Sequence, residues 1–446
     1  MYSLNATCPI CTIMRRSSLI IVTVIAAILF SCGRGGVREV RSYIAEAWDS
    51  TLRYQPSDTP DSLIGMPYPY TVPCAAGMFN ELYYWDTFFT NEGLIADGRV
   101  LQARDNTADL LSLVERYGFV PNGNRLWYLT RSQPPYLARM VEKVFAATAD
   151  TAFLASAFPV LEKEYEFWMT SRKAPCGLNR YGSTNPDEKL IDEFITTASR
   201  RIGTDFRSLG WDAERLHKFG LDCIAECESG WDFNPRFDRR CGDFCPVDLN
   251  ANLYGMETLM AGFATVLGLE KEAWEERANV RRELIWQYCY DKDRGGWFDY
   301  DYMNDCRSDV VSAAVFSLLF NNVLSADESE SVRRTLGVLE FDGGLSVCED
   351  KEYPYPYQWS YPNAWPPTTF VAVKGLLHYG FREDALRLAR KYIDSNTRAF
   401  IETGQLWEKI DCRTGRLPVD REYGTPAMLG WTAGTYVCFD ELLKRK

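Results

Sequence analysis

From residue 37 onward, apolar positions recur at spacings of three and four rather than two, so the chain reads as helices separated by loops rich in Gly, Pro, Trp and Tyr. Thr107 to Tyr117 (TADLLSLVERY) stops at Gly118, and Asn252 to Leu267 stops at Gly268. Thr368 to Tyr379 stops at Gly380, with a further helix from Arg382 to Ile393. A glycine just past the last periodic residue is the expected C-terminal cap. Strand-like alternation is scarce. No linker or composition change divides residues 50–446, which predicts one domain. About a dozen helices over about 400 residues exceed a simple bundle and point to a helical solenoid or a toroid of helix pairs. Periodicity predicts a large all-α domain and leaves the closure open.

The N-terminus departs from this pattern. Arg15 and Arg16 precede an apolar run from Leu19 to Phe30 that ends at Ser31-Cys32-Gly33. This predicts a signal peptide over residues 1–31, of the lipoprotein type, with Cys32 lipidated as the first mature residue. An ordinary signal with an incidental cysteine is the simpler alternative, and Met14 also suits a start. The run is short for a transmembrane span. The expected location is periplasmic or on the outer membrane of a bacterium, with membrane contact only through the anchor. The globular domain then covers residues 37–446.

Composition narrows the chemistry. A net charge of −12 argues against nucleic acid as a partner, which needs a basic face. The only histidines are His217 and His378, neither in a metal-ligand spacing, so carboxylates must carry any acid/base work. Of 14 cysteines, Cys8, Cys11 and Cys32 lie in or before the signal, leaving 11, an odd number. Cys223–Cys227 and Cys241–Cys245 form two C-x-x-x-C pairs, readable as loop-bracing disulfides, as buried thiols or, with less suitable spacing, as zinc ligands. Trp, Tyr and Phe make 14% of the chain, which suits a sugar site as well as an aromatic core.

Five loop segments combine aromatics, carboxylates and amides. They are Phe79–Phe89 (FNELYYWDTFF), Val120–Pro135 with PNGNR and RSQPP, Glu228–Phe233 (ESGWDF) followed by Pro246–Asn250 (PVDLN), Gln358–Pro367 (QWSYPNAWPP), and Trp407–Lys409 with Arg421–Gly424 and Gly430–Thr432. Cleaving a glycosidic bond needs one protonated carboxyl and one carboxylate, and Trp and Tyr faces grip sugar rings.

These motifs, in this order, resemble the trehalases, glycoside hydrolase family 37, over roughly residues 65–440. The resemblance implies an all-α (α/α)6 toroid, a single catalytic domain, and inverting hydrolysis of α,α-trehalose to two glucose molecules. Carried over position by position, Asp232 is implied as general acid and Glu408 as general base, with carboxyls about 6.5–9.5 Å apart. Phe79, Trp85, Asp86, Asn122, Arg131, Gln133, Gly230, Trp231, Gln358, Trp359 and Glu422 are implied to hold the disaccharide. No metal or organic cofactor is implied.

Departures from the family pattern matter too. Met78 stands where the family carries Arg before its first Phe, and Gly182–Glu188 lacks the arginine of the family's Arg-Pro-Glu-Ser segment. Ser360 replaces a usual Asp. Two missing guanidinium forks leave open a different α-glucoside as substrate, and an inactive sugar-binding lipoprotein is a third reading.

Overall fold

The computed structural model describes residues 35–60, 62–418, 426–427 and 430–445, so the signal segment, Cys32 and Glu422 lie outside the described residues. Helix α1 covers 35–47. The others are α2 (Tyr84–Ala96), α3 (Val100–Tyr117), α4 (Leu137–Thr148), α5 (Thr151–Ser171), α6 (Glu188–Ile202), α7 (Ala213–Glu228), α8 (Val247–Leu267) and α9 (Glu272–Cys289). The short α10 (Phe316–Phe320), α11 (Ala326–Arg333) and α12 (Leu336–Leu339) precede α13 (Pro366–His378), α14 (Arg382–Thr403) and α15 (Gly430–Lys444). Strands among the described residues are two residues long and form three pairs and one three-stranded sheet.

Helices α2, α8, α13 and α15 are buried on most of their faces. A helix apolar all round belongs inside a core. Here α2 packs on α4, α4 on α8, α8 on α10, α10 on α13, α13 on α15, and α15 back on α2, closing an inner ring of six. Outside it, α3 covers α2 and α4, α5 covers α4 and α8, α9 covers α8, α11 covers α10, and α14 covers α13 and α15. Arg41 of α1 pairs with Asp97 at the end of α2 (2.7 Å) and with Asp440 of α15 (3.2 Å). The fold is an (α/α)6 toroid.

The seam between first and last inner helices requires glycine. A Cβ on Gly93 would lie 2.3 Å from Gly434 Cα, and one on Gly434 would lie 2.1 Å from the Phe89 carbonyl oxygen. The two backbones touch directly, which no larger residue allows.

The C-terminal glycine stops hold: Gly118, Gly268 and Gly380 all adopt positive φ. Helix starts and lengths differ from the periodic reading. α3 begins at Val100 rather than Thr107, α8 at Val247 rather than Asn252, and α14 runs to Thr403 rather than Ile393. The added turns contain buried polar residues, among them Asn106, Asp248, Asn250 and Asn396. Asn106 Nδ2, for example, donates to Thr71 Oγ1 and Asn91 Oδ1, both at 2.9 Å. Satisfied polar groups in a core interrupt the apolar period without interrupting the helix.

Helices α6 and α7 pack as a hairpin beside the ring around a second, smaller core. Ile191, Phe194, Ile195, Ala198 and Ile202 meet Phe206, Phe219 and Ile224 there, together with Phe233 and Tyr357 from site loops. Among the described residues no helix is long and apolar enough to cross a membrane.

Candidate active site

Helix α7 delivers Asp232. The helix ends at Glu228, whose buried carboxylate accepts from Ser132 N (2.7 Å), Gly182 N (2.8 Å) and Arg172 Nε (2.7 Å). One side chain thereby fixes the α7 terminus to the RSQPP loop. Two residues earlier, Glu226 accepts from Asn234 N (2.7 Å), and burial pushes its carboxyl up to about 7. Between these anchors Gly230 turns the chain at φ +75°, and a Cβ there would sit 2.7 Å from the Trp85 ring. The glycine of ESGWDF is needed for both reasons. Beyond Asp232, buried Arg236 bonds Asp248 and Asp299, each at 2.8 Å, which ties the loop to α8.

Glu408 arrives from a separate segment. The antiparallel pair Asn363–Ala364 with Ile410–Asp411 sets its loop against the tryptophan loop. Its carboxylate is buried 3.0 Å from Lys409 Nζ, and its carbonyl accepts from Trp431 Nε1 (3.2 Å). Trp359 and Trp365 stack with ring centres 3.9 Å apart, and the Lys409 ammonium lies 5.0 Å from the Trp365 ring centre.

Both carboxylates line one cavity of about 530 Å³, within the range of small-molecule sites. Phe79, Trp85, Asp86, Asn122, Arg131, Gln133, Gly230 and Trp359 line it with them. Gln133 Oε1 accepts from Trp85 N at 3.0 Å. Buried Arg131 lies 4.9 Å from both the Tyr128 and Phe194 ring centres, and its Nε finds no partner among the described residues. Asp86, in the first turn of α2, has its carboxyl pushed up to about 8, chiefly by burial and further by the Glu408 and Asp232 charges.

Two expected cavity residues are placed elsewhere. Trp231 stands behind Trp359, with ring centres 5.4 Å apart, and under the Arg236 guanidinium. Gln358 is buried off the cavity, its carbonyl accepting from Asn363 Nδ2 (2.8 Å) and Trp365 Nε1 (3.3 Å). Trp359, the next residue, has the cavity face. Arg125 is also off the cavity, paired with Glu81 at 2.6 Å.

The lining also holds Met78, Tyr83, Tyr128, Thr197, Arg200, Arg201, Cys227, Trp365 and Trp431, which the motif reading did not single out as site residues. Trp365 and Trp431 sit inside recognised segments, a signal that was available. Thr197, Arg200 and Arg201 come from α6, where no motif marks them. His217 and His378 are not among the lining residues.

The cysteines do not behave as two C-x-x-x-C units. Cys223, Cys227, Cys241 and Cys245 are free thiols, and Cys245 Sγ lies 3.7 Å from Cys176 instead. Cys223 and Cys227 are on one helix, where successive turns already fix their separation. Among the described residues no group of three or more His, Cys, Asp or Glu is placed to hold a metal ion.

Carboxylates set among stacked tryptophans in a pocket of an (α/α)6 toroid mark the glycoside hydrolase class, and this protein is one. More narrowly, the chain belongs to the trehalase family, whose family model matches residues 32–444. It is 30% identical to the periplasmic trehalase of Escherichia coli O1:K1 / APEC over 428 residues, covering 89% of this chain and 73% of that one. Neutral trehalase Nth1 from Saccharomyces cerevisiae superposes with a TM-score of 0.73 at 28% identity, covering 88% of this chain and 76% of that chain. The same fold recurs in a GH63 mannosylglycerate hydrolase from Thermus thermophilus, with a TM-score of 0.61 at 16% identity, covering 90% of this chain and all of that one.

Proposed function

We propose that the protein is an exported α,α-trehalase that hydrolyses its substrate with inversion. Asp232 protonates the bridging oxygen, and Glu408 takes a proton from the water that attacks the anomeric carbon from the other face. Inversion requires the two carboxyls to stand about 6.5–9.5 Å apart, leaving room for that water. Trp85, Trp359 and Trp365 supply apolar faces for the ring attacked, and Asp86, held neutral, offers an O–H to a sugar hydroxyl. The observation that carries the reading is that Asp232 and Glu408, the two positions matching the family's acid and base, open into the same tryptophan-walled cavity.

Export is supported by the N-terminal apolar run ending at Cys32 and by the periplasmic relatives. Residues 1–31 are then the removed signal, Cys32 carries the lipid, and residues 37–446 form the catalytic domain.

Purified protein should release glucose from trehalose, and NMR of the first-formed sugars should show one β- and one α-glucose per event. Asp232→Asn and Glu408→Gln should each lower kcat by about 10²–10⁴-fold. Met78, exposed at the cavity where the family carries arginine, favours a second reading, a different α-glucoside. Glucose from maltose, kojibiose or nigerose with none from trehalose would establish that reading. Sugar binding without turnover of any of these would establish a binding lipoprotein instead.

A further inference from the structure

We propose that Arg201, assisted by Arg200, forms the subsite for the leaving sugar, so that helix α6 sets substrate choice on that side of the cavity. The inference rests on the assignment of Asp232 as proton donor and adds a specificity residue that no motif of the chain marks.

Helix α6 has two faces. Ile191, Ile195, Ala198 and Ile202 are buried in the small core with α7. Thr197, Arg200 and Arg201, at i, i+3 and i+4, share another face and line the cavity. Phe194 stacks on Trp127 with ring centres 5.5 Å apart and lies 4.9 Å from the Arg131 guanidinium, so the helix is seated against the cavity wall rather than merely near it.

The position of Arg201 fixes which sugar it meets. Its Nη1 lies 2.6 Å from Asp232 Oδ2, and its Nη2 donates to the Asp232 carbonyl. Its guanidinium also lies 4.7 Å from the Phe233 ring centre. A proton donor must reach the oxygen of the departing group, so a cavity-lining side chain in contact with that donor flanks the leaving sugar. The Glu408 end of the cavity, with Trp365 and Trp431, is left to the sugar that is attacked. A guanidinium fork suits adjacent sugar hydroxyls because two parallel N–H groups meet two oxygens. In the structure the Arg201 guanidinium holds Asp232 through both its carboxylate and its carbonyl.

The placement accounts for the departures from the family pattern. Guanidinium groups are absent at Met78 and along Gly182–Glu188, yet Arg200 and Arg201 enter the same cavity from the helix that follows. The function of the missing forks has moved along the chain rather than disappeared.

The test compares trehalose with α-glucosyl fluoride, whose leaving group is not a sugar and departs without a proton. Arg201→Ala should lower kcat/KM for trehalose by about 10²-fold, the loss expected for a charge-assisted fork, and lower it far less for the fluoride. Arg201→Lys keeps a cation beside Asp232 but lacks the fork, so it should give the same split and serves if the alanine variant fails to fold. Equal losses on both substrates would overturn the subsite and leave a purely structural role for Arg201, with the hydrolase intact. Unchanged trehalose kinetics in both variants would overturn it as well. If the wild type releases neither glucose nor fluoride, the Asp232–Glu408 reading fails and the subsite falls with it.

Discussion

Replacing Asp86 by Asn probes the electrostatics of the cavity directly. Asp86 is almost wholly buried at the start of α2, in reach of the charges on Glu408 and Asp232. Its carboxyl is raised from 3.8 to about 8, so near neutral pH the folded chain holds a proton there that the unfolded chain has released. Stability must therefore fall as pH rises from near 4 to near 8, and level off above that. Each pH unit in that window is worth about 1.4 kcal/mol. At pH 7 the accumulated cost is about 4 kcal/mol, and at pH 5 it is about 2 kcal/mol. Asparagine has the shape of the protonated acid and no charge to suppress, so Asp86→Asn should be more stable than wild type by a margin that widens with pH. Urea unfolding of both proteins at pH 5, 6, 7 and 8 measures it, and comparison at each pH cancels the other titrating groups. A difference that stays constant across pH, or a variant less stable throughout, would refute the claim that Asp86 is neutral in the folded protein.

The remaining predictions concern the acid loop and export. Gly230→Ala should cost about 2–4 kcal/mol, because a positive φ and a Cβ 2.7 Å from the Trp85 ring act together. A lowered thermal midpoint with a matching loss of kcat/KM checks it, and wild-type values in both would show that the loop can relax around the methyl. In exported protein, Cys176 and Cys245 should be recovered as a disulfide by peptide mapping after alkylation, since their sulfurs need move little to bond. Membrane fractionation of a Cys32→Ser variant completes the test: loss of the membrane-bound pool supports the lipid anchor, and its retention argues against it.

The sequence makes the chemistry legible sooner than the architecture. FNELYYWD, RSQPP, ESGWDF and the WEK segment lie far apart, yet Trp85, Asp86, Arg131, Gln133, Asp232 and Glu408 from them meet in one cavity. Ring closure has no such local sign. It depends on α15 returning to α2, with Gly93 against Gly434, and apolar periodicity describes each helix without its neighbours. The choice between Trp231 and Trp359 as cavity wall was hidden for a related reason, because both lie in loops where no period fixes a face. Arg201 was hidden more deeply. A polar face on an amphipathic helix has the same pattern whether it meets water or a cavity, and only packing separates the two.

The way the site is built also explains how one reaction can be kept while its substrate changes. The turn before Asp232 is anchored by buried groups outside the cavity, with Glu228 bound to Arg172, Ser132 and Gly182, and Glu226 bound to Asn234. Glu408 is set by a strand pair and by Trp431. None of these anchors belongs to α6. That helix rests instead on its own small core, so substitutions on its cavity face reshape the cavity wall without loosening those anchors. Two links to Asp232 remain: Arg201, which bonds its carboxylate and carbonyl, and Phe233, which belongs to the small core and directly follows it. Any rearrangement of α6 large enough to repack Phe233 would reach Asp232. Changes of substrate should therefore accumulate as side-chain replacements at Thr197, Arg200 and Arg201 rather than as shifts of the helix.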